Sequence, residues 1–237
     1  KPDYAEGYYN LGVVLRDLGR LEESEKNYKK TIEINPNYIE AYNNLGVTLR
    51  ELRKLEESNQ NYNKVIKLNP EYADAYNNLS FNYLLKKEFK KAYELSEWRW
   101  KTNRNIGYKF LTKKPLWNGE KNKTIFVWKE QGIGEEIMFG SILYDLEKIS
   151  NKLIVNCDKR LIPLFERSFS NKIIYEPDRN KINENDFDFH ISMGSLRSFF
   201  RKNLKDYNIT SKRFLFADNK KKLHFESKLK SNKNEIS

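Results

Sequence analysis

The chain has 237 residues, 38% of them hydrophobic, with 44 lysines and arginines against 33 acids for a formal net charge of +11, enough for two modest domains. No apolar run approaches the ~18–20 residues that span a bilayer, and the first twenty residues lack the apolar core of a secretory signal, so a cytoplasmic protein without a membrane span is expected. Cys157, the single cysteine, excludes an intrachain disulfide, and with only His190 and His224 beside it neither a metal cluster nor a cofactor is expected. The basic residues are mostly lysines scattered along the chain and are not interleaved with stacking aromatics, so no nucleic-acid partner is expected either.

The first hundred residues repeat. Pro2, Pro36 and Pro70 stand 34 residues apart, and the text between them recurs: Pro-x-Tyr, a Tyr-rich step, Asn-Leu-Gly, Leu-Glu-Glu-Ser, then Ile-x-x-Asn-Pro or its near copy. Tyr8, Leu11 and Leu15 return as Tyr42, Leu45 and Leu49 and again as Tyr76, Leu79 and Tyr83, offsets that put one apolar stripe on a helix face. Gly12, Gly46 and Ser80, with Ser24, Ser58 and Ala92, keep the paired helices close, and proline ends each second helix. The pattern predicts helices over 5–18, 22–34, 39–52, 56–68, 73–86 and 89–101. It resembles the tetratricopeptide repeat in period and helix–turn–helix layout over residues 1–100. Because solenoid ends need polar caps and Lys1 falls inside a repeat, further repeats are expected upstream.

Asn10, Asn44 and Asn78 share one position in successive first helices. The resemblance implies that these helices line a concave groove in which such asparagines hydrogen-bond an extended peptide. The alternative is that they bond a neighbouring helix. On the peptide reading, replacing all three weakens partner binding and leaves stability nearly intact.

At the end of the third repeat Trp98, Arg99 and Trp100 interrupt the pattern, as a docking surface for a neighbouring domain would require. Residues 101–122 then read as an aromatic connector with Tyr108, Phe110, Leu116 and Trp117, closed by an Asn118-Gly119 turn.

From Lys123 the period changes. Strands are predicted over 124–128, 153–156, 172–175 and 187–190 and helices over 135–149 and 161–169, with another from Gly194-Ser195 to Arg201. Alternating strands and helices predict a Rossmann-like, three-layer α/β domain over 123–237 with ligands at the carboxyl ends of a parallel sheet. The stretch 127–139, Val-Trp-Lys-Glu-Gln-Gly-Ile-Gly-Glu-Glu-Ile-Met-Phe, is its strand, glycine turn and helix start. Ile137 stands where a dinucleotide fingerprint needs its third glycine, and acids at a helix start repel a pyrophosphate. Ser195 reads as an N-cap or a hydroxyl contact, His190 as a packed or hydrogen-bonded residue, Asp158 and Arg160 as a local pair, and Cys157 as a buried small residue.

Glu-Trp-Arg-Trp at 97–100, Pro-Leu-Trp-Asn-Gly at 115–119, the sequence 130–139, Asn-Cys-Asp-Lys-Arg-Leu-Ile-Pro-Leu-Phe-Glu-Arg-Ser-Phe at 156–169 and Met-Gly-Ser-Leu at 193–196 resemble bacterial proteins in which tetratricopeptide repeats precede a heptosyltransferase-like glycosyltransferase domain. The resemblance implies a GT-B fold of which residues 123–237 are the first half. The repeats would bind a protein or glycan acceptor, and a nucleotide-sugar would bind through a C-terminal half not in this sequence, so that this chain alone would be inactive. It also implies that Glu135 is a base toward an acceptor hydroxyl, with Gln131, Gly132, Gly134 and Ser195 contacting the ligand. The alternative for Glu135 is an acid that only favours the helix dipole. The alternative for the protein is a non-catalytic repeat scaffold.

Overall fold

The computed structural model describes residues 4–102, 109–130, 132–208 and 214–233. The chain forms two compact units, 1–107 and 108–237.

The first unit is a solenoid of three helix pairs: α1 (Ala5–Asp17) with α2 (Leu21–Ile34), α3 (Ile39–Glu51) with α4 (Leu55–Leu68), and α5 (Ala73–Leu85) with α6 (Phe89–Ser96). The first two pairs each close on a helix glycine. The Tyr28 ring lies flat over Gly12 and the Tyr62 ring over Gly46, where an added Cβ would come within 2.8 and 2.6 Å of ring carbons. The neighbouring serines fix the same glycines from the side, Ser24 Oγ donating to the Gly12 carbonyl at 2.7 Å and Ser58 Oγ to the Gly46 carbonyl at 2.6 Å. Full burial pushes the Tyr62 phenol up to about 12. In the third pair the equivalent positions are Ser80 and Ser96, and the expected helix 89–101 stops at Ser96, passing into a 3-10 turn over Glu97–Lys101. Trp98 packs within the third repeat. It stacks on Tyr76 at 3.9 Å with rings 7° apart, Lys101 Nζ covers its other side at 4.0 Å, and Arg99 is buried with Nη1 on the Ser96 carbonyl.

Successive pairs are also joined by polar contacts, which do not repeat position for position. Lys54 reaches Glu25 at 2.8 Å and Lys86 reaches Glu56 at 2.8 Å, while Asn82 Nδ2 donates to Ser58 Oγ and Asn59 Oδ1, both at 2.8 Å. The turn inside each pair needs one left-handed residue after the first helix, whose N–H and the next return to the last carbonyls of that helix. Gly19 fills it with φ 74°, but Arg53 and Lys87 hold φ 63° and 62°.

The second unit contains a four-stranded, all-parallel sheet in the order β3-β2-β1-β4, from β1 (Thr124–Trp128), β2 (Lys152–Val155), β3 (Ile173–Tyr175) and β4 (Phe189–Ser192). Between them run α7 (Ile133–Ile149) and α8 (Ile162–Ser168), and beyond β4 lie the short α9 (Arg197–Phe200) and α10 (Lys205–Asn208) and the exposed α11 (Asn219–Lys233). Side chains alternate across β1. Ile125 and Val127 join the core with Leu143, Leu146 and Phe165 of the helices, while Phe126 meets Phe110 at 4.8 Å and Phe187 at 5.3 Å. The β4 edge is closed by the segment 115–117, the Trp117 N–H donating to the His190 carbonyl and the His190 N–H to the Pro115 carbonyl. Trp117 is buried against Phe199 and Phe200.

Most boundaries fall within one residue of expectation, and three in the second unit differ by more. α7 starts at Ile133 rather than 135. β4 lies two residues later than 187–190, and Asp188 just before it bonds Thr124 both ways, its N–H donating to the Thr124 carbonyl and its carboxylate accepting the Thr124 N–H, each at 2.9 Å. The expected helix from Gly194 is instead a 3-10 turn, Met193–Leu196, followed by the one-turn α9. Among the described residues no helix is long and apolar enough to cross a membrane.

A side chain in the left-handed region costs about 1–2 kcal/mol, part of which glycine returns as chain entropy in the unfolded state. Lys87→Gly, and separately Arg53→Gly, should therefore raise stability by about 0.5–1 kcal/mol, read as a higher urea midpoint with an unchanged slope.

Candidate functional site

Two regions gather the residues singled out by the sequence. On the repeats, Asn10, Asn44 and Asn78 sit on α1, α3 and α5, each in the middle of its helix. Asn78 Nδ2 donates to Asn43 Oδ1 at 3.1 Å and Asn44 Nδ2 to Tyr9 Oη at 3.0 Å, each reaching back one repeat. Asn43 Nδ2 contacts Asn44 Oδ1 at 3.4 Å. Asn44 and Asn78 thus belong to a side-chain ladder that crosses the repeats, whereas Asn10 is exposed. Tyr9 continues the ladder into an aromatic group, stacking on Tyr38 at 5.0 Å and meeting Tyr28 at 5.9 Å. Burial, with Glu40 nearby, raises the Tyr9 phenol above its ordinary value.

In the second unit the carboxyl ends of β1 and β4 bring the glycine turn beside Met193–Leu196. Gly132 is the N-cap of α7 in an extended conformation with φ −83°, and a Cβ at Gly132 or Gly134 would meet nothing within 4 Å. The backbone there does not require glycine, and the two residues leave open space over the helix start. Gln131 lies outside the described residues. The close approach occurs at Gly194 instead: its N–H donates to Glu130 Oε1 at 2.8 Å, and a Cβ at that position would collide with the Glu130 carboxylate. Ser195 is not an N-cap but lies inside the 3-10 turn, buried, with Oγ 2.7 Å from Ser192 Oγ.

The paired glutamates of α7 separate sharply. Glu135 is half-buried in the first turn, its N–H donating to the Gly132 carbonyl. Glu136 is 2% exposed and accepts the Asp158 N–H at 2.7 Å, tying the start of α7 to the end of β2. Burial raises the Glu136 carboxyl above the ordinary glutamate range, against the pull of that hydrogen bond and of Lys129. Beside it Cys157 is fully buried and its thiol is pushed up to about 12 by burial and by the Glu136 charge, so it is an inert neutral thiol. Asp158 holds Arg160 through two 2.9 Å contacts, to Nε and Nη2, which keep its carboxyl well below the usual range. His190 is buried, accepts the Trp128 indole N–H at 3.2 Å on Nδ1, and is held below its ordinary value mainly by burial, so it packs as a neutral ring. Glu130, Gly194 and Glu136 are the site residues sequence reasoning missed. The Gly in Met-Gly-Ser-Leu after a strand was the available signal for the first two.

Residues 5–38 and 27–58 match two profiles of the tetratricopeptide repeat, so the helix pairs there are tetratricopeptide repeats. No curated protein sequence matches the chain. Among solved structures, MamA is similar at 20% identity and TM-score 0.42, over 46% of this chain and 64% of that one. The first tetratricopeptide domain of Spaghetti (RPAP3), bound to an HSP90 peptide, is similar at 18% and 0.42, over 44% and 83%. YrrB, described as a tetratricopeptide protein with an unusual peptide-binding site, is similar at 26% and 0.40, over 43% and 52%. The chain thus spans less than two thirds of the length of MamA and of YrrB.

Glu136 gives a test of this geometry. Glu136→Ala leaves the Asp158 N–H without an acceptor and should cost about 1–3 kcal/mol, while Glu136→Gln keeps an acceptor and should cost less. Because the folded carboxyl is raised, its contribution favours folding below the ordinary glutamate value and is lost as pH rises through the raised value. Glu136→Gln should therefore flatten the pH dependence of stability between the ordinary and the raised value, measured by urea unfolding between about pH 4 and 7.

Proposed function

We propose that this protein is a repeat-based binding module that takes an extended peptide segment of a protein partner along the first helices of its repeats, with the α/β unit carried as an attached domain. The observation that supports it is the asparagine row on tetratricopeptide helices: Asn10 exposed, and Asn44 and Asn78 in a ladder beside the Tyr9 and Tyr38 rings. An amide side chain offers both a donor and an acceptor, as a peptide backbone requires, and flat phenol rings add contact area at low entropic cost. Because Asn44 and Asn78 also join repeats, replacing all three asparagines is not neutral for stability. The cost should be about 0.5–1.5 kcal/mol for each ladder bond. Asn10→Ala is the clean variant. Peptides selected from a random displayed library on this chain should lose about tenfold in affinity with Asn10→Ala, at unchanged melting temperature. Absence of any selected peptide, or equal affinity in the variant, overturns the reading.

A second reading is favoured by one observation, the parallel order β3-β2-β1-β4, in which the chain reverses direction across the sheet at β1. Such an order suits a Rossmann-like unit with a ligand crevice at the reversal. On this reading the unit is the first half of a GT-B glycosyltransferase. Glu135 would take the proton of an acceptor hydroxyl, Gln131, Gly132, Gly134 and Ser195 would line the acceptor, and the nucleotide-sugar would be held by residues outside this sequence. Sugar transfer from a nucleotide-sugar panel by the longer protein, lost in Glu135→Gln, would support it. Transfer retained in Glu135→Gln removes that base.

A further inference from the structure

The second unit has a concave feature that is separate from the glycine turn. A groove of about 490 Å³, open to solvent, is lined by Lys129, Asp158, Lys159, Arg160 and Pro177. Lys129 directly follows β1, Asp158 to Arg160 come three to five residues after β2 and Pro177 two residues after β3, so the groove crosses the carboxyl ends of three adjacent parallel strands, on the β2 side of β1 and away from β4. That edge of a parallel sheet is where α/β folds place ligands. Its walls are fixed from beneath. Glu136 ties the Asp158 backbone to α7, and the buried Asn156 donates from Nδ2 to the carbonyls of Glu176 at 2.8 Å and Pro177 at 3.2 Å.

The charges within it are unequally matched. Asp158 is taken up by the Arg160 guanidinium through Nε and Nη2, which leaves Nη1 of that fork unused by Asp158. Among the described residues Lys129 and Lys159 form no ion pair, although Lys129 lies near enough to Glu136 and Asp158 to pull on their carboxyls, so the groove carries two ammonium groups beside a paired guanidinium. Two ammonium groups outside any ion pair and a guanidinium N–H match a dianion with three acceptor oxygens better than a monoanionic carboxylate. A phosphate monoester is the common small-molecule group of that kind, carrying close to two charges above its second pKa of about 6.

We propose that this groove is a binding site for a phosphate monoester on a small molecule, with Lys129 and Lys159 as its charge partners and Arg160 orienting it while bound to Asp158. The site stands independently of peptide binding by the repeats.

The test uses the whole chain, labelled with ¹⁵N and titrated at pH 7.5 with inorganic phosphate, phenyl phosphate and acetate. Saturable binding of both phosphates is expected, with shifts concentrated at residues 129, 158–160 and 176–178, and weaker binding of acetate. Affinity for phenyl phosphate should fall about tenfold in Lys129→Ala/Lys159→Ala and be largely kept in Lys129→Arg/Lys159→Arg. It should also fall at pH 5.5, where the phosphate is mostly a monoanion. Lys159→Ala alone, at an exposed position, must weaken binding as well, so a folding defect in the double variant does not shield the proposal. Non-saturating shifts spread over lysines of both units, acetate binding as tightly as phosphate, or undiminished binding in Lys159→Ala would each overturn it.

Discussion

The repeat unit depends on one contact, a tyrosine ring laid on a helix glycine. At Gly12 and Gly46 the absence of a side chain lets the second helix bring Tyr28 and Tyr62 against bare backbone, and Ser24 and Ser58 lock the same carbonyls. This sets the distance within each pair, and the next pair packs on the surface so formed. Where Ser80 and Ser96 replace the glycine and the tyrosine, the second helix is shorter and tightens into a 3-10 turn covered by Trp98. The end of the repeat pattern is thus also a change in packing rule, from a ring on a glycine to a stack of Trp98 on Tyr76.

In the second unit the corresponding constraint is the anchoring of strand ends by acids, buried at Glu136, half-buried at Glu130 and exposed at Asp188. Glu136 holds the loop after β2, Glu130 holds the turn after β4, and Asp188 caps the start of β1. Each carboxylate accepts a backbone N–H that the parallel ladder leaves over. The polar ends of the sheet are therefore preformed, and that rigidity allows lysines on the same loops to face a groove with little freedom to collapse. The buried Arg201, bonded to Asp145 at 2.8 Å, fastens the chain after β4 to α7 in the same manner.

The solenoid was legible in the sequence because every repeat states the same pattern, so local ambiguities cancel over three copies. The left-handed turn residues were legible only at Gly19, since Arg53 and Lys87 are not residue types that signal that conformation. In the sheet the strands were legible as apolar runs. The register of β4 was not, because Phe187 continues the hydrophobic alternation while packing outside the ladder on Phe126. The site was less legible for a geometric reason. Adjacent helical residues point about 100° apart, so which of Glu135 and Glu136 faces inward is decided by where α7 begins. The helix starts two residues earlier than the pattern predicts, and Glu135, to which the resemblance points as the acid after the turn glycine, is the more exposed of the two. Likewise the glycines of the turn drew notice by their number, whereas the position where a side chain would collide was the single Gly194.

The ladder from Asn78 through Asn43 and Asn44 to Tyr9 has a mechanical meaning. Its atoms bridge the first helices of successive repeats, so they help to hold the repeats together along that surface. A ligand that draws on Asn44 or Asn78 competes for these bonds. Occupancy and the joining of the repeats would then be coupled, with the amides acting as both the grip and the tie.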